Sequence, residues 1–121
     1  MPVAAVSGDG YLVIALSGGT TRLYAPDGQL ISEVRRHDGL PTTAVVTAPA
    51  GAWYAVATGP ESQNETKPKL HIFSRQGTEL LTFDLEVLRL MPVNTTALFA
   101  ATADRSVYLS IPDRRALWTL I

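Results

Sequence analysis

The sequence predicts an all-β protein, and three observations support this fold class. Its apolar stretches are short and rich in Val, Ile, Leu, Tyr and Thr, which is the composition of β-strands. Gly, Pro, Asp and Asn separate these stretches at close intervals, as turn residues do. A similar order of strands and turns also recurs along the 121 residues. Almost no segment has the periodicity of a helix.

The first repeat, at approximately residues 2–35, begins with a short apolar strand predicted in PVAAVSG. The stretch YLVIALSGGTTRLYAPDGQLISEV then predicts three further strands, divided by turns that contain glycine or proline. SGDG and SGGT are interpreted as hairpin turns, because a phosphate-binding loop would need a helix directly after it. The first repeat therefore predicts four strands.

The second and third repeats, at approximately residues 41–85 and 86–121, have the same order of strands. Their first strands are predicted in TTAVVTAP and EVLRLMPV. The second repeat is longer because a polar loop with two prolines, residues 59–69, is inserted after its second strand. The strongest strands begin at Tyr11, Trp53 and Ala97, at steps of 42 and 44 residues. Four strands in about 40–45 residues is the period of a β-propeller blade.

The repeats resemble those of WD40 β-propellers, and the resemblance covers essentially the whole chain. RHDGLPTTAVVTAPAGAWYAVATG is similar to the start of such a blade, and ADRSVYLSIPD is similar to its later hairpin. GGTTRLYAPDG is a weaker match, and the Trp-Asp dipeptide of the family is absent from all three repeats. The resemblance implies one domain, residues 1–121, of three four-stranded antiparallel blades. A quinoprotein-like or YVTN propeller and a β-sandwich are the alternatives.

The resemblance also implies a structural role for His37. In WD40 blades, a histidine at this boundary hydrogen-bonds a Ser or Thr of the second strand and an Asp of a hairpin turn. His37 and Thr58 match two of these positions in the second repeat, and Thr102 and Asp104 match in the third. We therefore expect these four residues to belong to the joints between strands. A catalytic pair of His37 with the adjacent Asp38 is the less favoured interpretation.

Three blades cannot close a propeller ring, which usually contains about four to eight blades. The terminal blades would expose long apolar faces, and such faces mark association surfaces. Two copies would complete a ring of about six blades through a closed head-to-tail contact. The expected partner is therefore a second copy of the chain. The alternatives are another protein that supplies further blades, or a chain that is a fragment of a longer propeller.

No sequence motif indicates a catalytic centre or a cofactor. GxSxG, P-loop and HExxH patterns are absent, as is cysteine, and His37 and His71 lack the spacing of metal ligands. The net charge of −1 indicates neither a nucleic-acid nor a membrane surface. The pairs Arg35-Arg36 and Arg114-Arg115 are interpreted as solvated turns. We expect no enzyme activity, no metal and no cofactor.

A non-catalytic scaffold for protein interaction and assembly is the favoured function. The alternative is a site for a small, sugar-like ligand or for catalysis in the central channel of the assembled ring. The strands expected to line that channel offer only Glu86 and Arg89 as charged groups, which is few for such a site. The N-terminus does not resemble a secretory signal, which favours the cytoplasm. The expected contact residues of the polar loop are Glu61, Asn64, Glu65, Lys67 and Lys69.

Overall fold

The computed structural model describes residues 3–60 and 67–111. These residues form three antiparallel sheets of four, four and three strands, and strands that are neighbours in sequence pair with each other. The predicted all-β class is therefore confirmed. The fourth strand predicted for the last repeat, in residues 112–121, lies outside the described residues, as does the tip of the polar loop at 61–66.

Each sheet is a simple meander. The first contains β1 (Val3–Val6), β2 (Leu12–Leu16), β3 (Thr20–Tyr24) and β4 (Leu30–Arg35). The second contains β5 (Thr42–Thr47), β6 (Trp53–Thr58), β7 (Leu70–Ser74) and β8 (Glu79–Phe83). The third contains β9 (Arg89–Asn94), β10 (Ala97–Ala101) and β11 (Ser106–Ser110). A short 3₁₀ turn, Pro49–Gly51, connects β5 to β6.

The sheets are stacked in chain order, with the second sheet between the other two. One apolar cluster joins the first and second sheets, and another joins the second and third. All residues of β6 and β7 are buried, whereas buried residues alternate with partly exposed ones along β2 and β3. A strand covered on both faces is apolar throughout, and one covered on a single face alternates. Along one edge, β5 contacts both β1 and β9.

The pairing registers define two faces that are equivalent in the three sheets. The forward face, which in the first two sheets packs against the following sheet, carries the cross-strand pairs Val13–Leu23, Ala55–Ile72 and Phe99–Tyr108. The backward face, which in the last two sheets packs against the preceding sheet, carries the pairs Leu12–Tyr24, Tyr54–Phe73 and Leu98–Leu109. The stack therefore repeats one kind of contact, in which a forward face meets a backward face.

Gly19, in the turn between β2 and β3, positions the chain segment that leaves the first sheet. Its φ is +88°, and a Cβ atom there would lie 2.6 Å from the carbonyl oxygen of Arg36. The Arg36 amide donates a hydrogen bond of 2.9 Å to the carbonyl oxygen of Gly19. Glycine is required at this position both by its backbone conformation and by the close approach of another backbone. The turn thus holds the start of the linker between the first two sheets.

Candidate functional site

The forward face of the third sheet is apolar and open to solvent. Its central row consists of Met91, Phe99 and Tyr108, which are paired across β9, β10 and β11 and are 62%, 41% and 55% exposed. The two aromatic rings lie edge to face, with centroids 5.2 Å apart. The positions equivalent to Phe99 and Tyr108 in the first two sheets are completely buried. An exposed apolar row at a repeated packing position is typical of an association surface.

A shallow groove of about 520 Å³ runs along this forward face. Its apolar lining consists of Leu90, Met91, Phe99, Ala100 and Ala101. Arg89 and Ser106 contribute its polar groups. The only charged residue in this lining is therefore a single arginine, which favours an apolar partner over a highly charged one.

The backward face of the first sheet is the second open face. Val6, Leu12, Tyr24 and Leu30 form a row across its four strands. Val6 is 64% exposed and Leu30 is 48% exposed, and the two central residues are partly exposed. The equivalent central positions in the other two sheets are buried in the two apolar clusters. Each end of the stack thus presents an uncovered apolar row.

An ion network borders this second row. The Arg22 guanidinium donates to the Glu33 carboxylate over 2.7 Å, and the Arg35 guanidinium donates to the same carboxylate over 3.0 Å. The hydrogen bond from Arg22, followed by that from Arg35, holds the pKa of Glu33 below its usual value. Since the network is largely exposed, it contributes solubility and orientation more than stability.

A cluster of polar side chains lies where the first sheet connects to the second, and we call it the polar joint. Its members are Arg36, Asp38, Thr42, His71 and Glu79. The side chain of Arg36 is only 7% exposed. Its guanidinium donates to the Asp38 carboxylate over 2.7 Å and to the Thr42 hydroxyl over 2.6 Å. Charge-assisted hydrogen bonds therefore hold the linker between β4 and β5 in one conformation.

The imidazole of His71 connects this linker to the second sheet. Its Nδ1 lies 2.7 Å from the Glu79 carboxylate, and its Nε2 lies 4.0 Å from the Asp38 carboxylate. His71 is 8% exposed and stacks on Phe73, with ring centroids 6.0 Å apart. Among the described residues, Nε2 has no hydrogen-bond partner. The histidine thus lies between two carboxylates that belong to different elements.

The two carboxyl groups of the polar joint are both more acidic than usual. Burial opposes ionisation of Asp38, but the Leu40 amide and the Arg36 guanidinium outweigh it, so the pKa of Asp38 is lowered. Burial also opposes ionisation of Glu79, and the hydrogen bonds with His71 and Thr82 outweigh it, so its pKa is lowered as well. Both groups are therefore expected to be ionised at neutral pH, and the ionised Asp38 stabilises the Arg36 guanidinium beside it.

The structure does not connect His37 to Thr58. The side chain of His37 is exposed. Thr58 is completely buried, and its hydroxyl accepts from the Lys69 amide over 2.8 Å and donates to the Lys69 carbonyl oxygen over 3.2 Å. The histidine that lies at this joint is His71, and the carboxylate nearest to it in the linker is Asp38.

The structure does bring Thr102 and Asp104 together, in the hairpin between β10 and β11. The Thr102 hydroxyl lies 2.9 Å from the Asp104 carboxylate, and the Thr102 amide donates to the Arg105 carbonyl oxygen over 2.8 Å. These contacts close the hairpin turn locally. They involve no histidine.

The polar loop is described only at its two ends. Lys67 is exposed, and the Lys69 ammonium donates to the Asp84 carboxylate over 2.7 Å. The three other residues expected to make contacts, Glu61, Asn64 and Glu65, lie outside the described residues. Its base is nevertheless tied to the second sheet through the backbone of Lys69 and the buried Thr58.

Sequence reasoning missed the polar joint. The pair Arg35-Arg36 was interpreted as a solvated turn, which is wrong for Arg36, since this residue is only 9% exposed. Nothing in the local sequence distinguishes the two arginines. The clearest signal available was His71 itself, a polar residue in the middle of the apolar strand KLHIF, because a buried polar group needs a partner.

The described residues contain no group of three or more His, Cys, Asp or Glu side chains that could hold a metal ion. In the same part of the chain, no helix has the length and hydrophobicity that crossing a membrane requires. The fold and its faces define an all-β protein of stacked antiparallel sheets with two open apolar faces. Comparison with models of known protein families and with curated proteins finds no match.

Proposed function

We propose that the chain is a non-catalytic assembly scaffold built from three WD40-like propeller blades. It associates through the open faces of its terminal sheets, and two copies complete a ring of about six blades. The single observation that carries this proposal is the exposed row of Met91, Phe99 and Tyr108, because the equivalents of Phe99 and Tyr108 are buried in the other two sheets. A repeat that buries its faces only against neighbours needs a partner at each end.

Energetic reasoning supports self-association. Each internal junction removes two apolar faces from water, and burial of apolar surface is the main favourable contribution to both folding and association. The terminal faces offer the same kind of surface. Large exposed apolar residues on the described part of the chain are concentrated there: five of the seven are Val6, Leu30, Met91, Phe99 and Tyr108. An assembly that covers both rows would remove most of them from water.

The polar joint supports a structural role over a catalytic one. Arg36 is bound to Asp38 and Thr42, and the carboxylate of Glu79 is bound to His71 and Thr82. Groups engaged in this way position chain segments, whereas a catalytic centre needs convergent groups directed at a cavity. His37, the histidine adjacent to Asp38 in sequence, has an exposed side chain.

The solution mass of the purified chain tests the proposal. Multi-angle light scattering is expected to find a particle of two chains, that is, twice 13.0 kDa. The particle should persist at high salt, because an apolar interface is not screened as ion pairs are. A chain that stays monomeric at high concentration, and unfolds cooperatively in urea, would show that the open faces are not association surfaces.

A further inference from the structure

The geometry points to a head-to-tail contact between the two copies, an inference that rests on the proposed self-association. In this arrangement, the forward face of the third sheet of one copy packs on the backward face of the first sheet of the other. The interface residues are Met91, Phe99 and Tyr108 on one side and Val6, Leu12, Tyr24 and Leu30 on the other. The partner is thus a second copy of this chain, in one specific orientation.

The internal junctions establish the rule for this orientation. At the first junction, Val13 and Leu23 of a forward face pack in one cluster with Tyr54 and Phe73 of a backward face. At the second junction, a forward face again packs on a backward face, through Ala55, Ile72, Leu98 and Leu109. Neither junction joins two faces of the same kind. The open face of the third sheet is a forward face, and the open face of the first sheet is a backward face. A second copy can therefore pack on either open face in the same way as the sheets pack within the chain.

The sizes of the side chains also favour this pairing. The first junction places the two aromatic rings of Tyr54 and Phe73 against the aliphatic pair Val13 and Leu23. The proposed contact also sets two aromatic rings, those of Phe99 and Tyr108 on the forward face, against a row in which Tyr24 is the one aromatic residue. The backward face opposite them offers mainly aliphatic side chains.

A contact between two identical faces is less favourable. Two forward faces would bring the rings of Phe99 and Tyr108 against the same rings of the second copy. The exposed Val6 and Leu30 would then stay in water. The head-to-tail contact covers both rows at once, and, because it occurs twice in a ring of two copies, it gives a closed assembly.

Two variants that each block one face test this orientation. Tyr108→Arg places a charge on the forward face, and Leu30→Arg places one on the backward face. Both positions are about half exposed in the chain, so the substitutions leave its core intact. Each variant alone should be monomeric, with its dissociation constant raised about tenfold or more. Far-ultraviolet circular dichroism and urea unfolding check that each is folded.

The mixture of the two variants is the decisive measurement. Each variant keeps one intact face, and the two intact faces are of opposite kinds. Native mass spectrometry of the mixture should therefore detect a heterodimer, at a concentration at which each variant alone is monomeric. Leu88→Arg is the matched control, because Leu88 is apolar and 62% exposed but lies in the linker before β9, outside both rows. It should assemble as the unmodified chain does.

Two other outcomes would overturn the inference. If Leu30→Arg alone still dimerised while Tyr108→Arg did not, the copies would meet through two forward faces; the reverse result would indicate two backward faces. If the mixture formed no heterodimer, the two faces would not fit each other. In each of these cases the unmodified chain still dimerises, whereas failure of the proposed function would leave the unmodified chain itself monomeric.

Discussion

The two junctions within the stack differ in their polarity. Across the first junction, the hydroxyls of Ser32 and Tyr54 lie 3.1 Å apart, and the Asp9 carboxylate accepts from the Ala50 amide over 2.7 Å. The polar joint lies beside the same junction. The second junction is mainly apolar. Among the described residues, the Trp53 indole donates a hydrogen bond across it to the Thr95 carbonyl oxygen, over 2.9 Å.

This difference distinguishes two contributions to the stability of the stack, namely apolar burial and hydrogen bonding. Apolar burial supplies most of the free energy and is not directional. Buried hydrogen bonds add less net stability, but a misplaced sheet would leave their donors and acceptors unpaired, at a cost of about 1–3 kcal/mol each. The second junction therefore depends mainly on burial. In the first junction, the buried hydrogen bond between Ser32 and Tyr54 also specifies how the two sheets are placed.

The largest effect is expected from Leu98→Ala, at the second junction. Leu98 is completely buried between the second and third sheets. Removal of its side chain loses apolar contacts and leaves a cavity, which should lower the free energy of unfolding by about 2–5 kcal/mol. Urea denaturation measures this change. Leu88→Ala, at an exposed position, serves as control and should change stability by less than about 0.5 kcal/mol.

A smaller effect is expected from Arg36→Met, in the polar joint. Methionine keeps much of the apolar stem but removes the donors to Asp38 and Thr42, so the free energy of unfolding should fall by about 1–3 kcal/mol. The neighbouring Arg35, whose side chain is 65% exposed, provides the matched control. Arg35→Met should have an effect of less than about 0.5 kcal/mol. Equal effects of the two substitutions would contradict the role assigned to Arg36.

The smallest effect is expected in the dependence of stability on pH. Because the pKa of Asp38 is lower in the folded chain than in the unfolded one, its ionisation stabilises the fold above the usual aspartate pKa of about 4. That contribution is lost as the pH falls through the lowered pKa. Asp38→Asn should therefore make the fall in stability at acidic pH shallower. Urea denaturation at a series of pH values measures the slope, and an unchanged slope would argue against this origin of the acid sensitivity.

The strands and turns were predictable because their signals are local. Glycine and proline turns bound the meander strands of the first repeat, and the equivalent strands predicted from Tyr11, Trp53 and Ala97 begin at Leu12, Trp53 and Ala97. Trp53 is only 1% exposed, and its burial could be predicted because it begins an apolar stretch of sequence. The polar loop at 59–69 is likewise predicted from composition, and its tip at 61–66 lies outside the described residues.

The partners of the polar residues were not predictable in the same way. His37 lies next to Asp38 in sequence, yet the imidazole that approaches Asp38 is that of His71, from a strand of the second sheet. Arg35 and Arg36 are adjacent, and only the second is buried. Which of two neighbours points inward at the end of a strand depends on the path of the linker, and that path is set by contacts distant in sequence.

The amino-acid sequence by itself determined the all-β class, the order of the strands and the repeated pattern of apolar residues. These follow from backbone preferences and from alternation along a strand, which act over a few residues. Only the tertiary structure decided which faces are covered, that Met91, Phe99 and Tyr108 remain open, and that His71 completes the polar joint. The physical reason is that burial is a property of neighbouring sheets, and the same apolar row is core or surface according to whether another sheet lies against it.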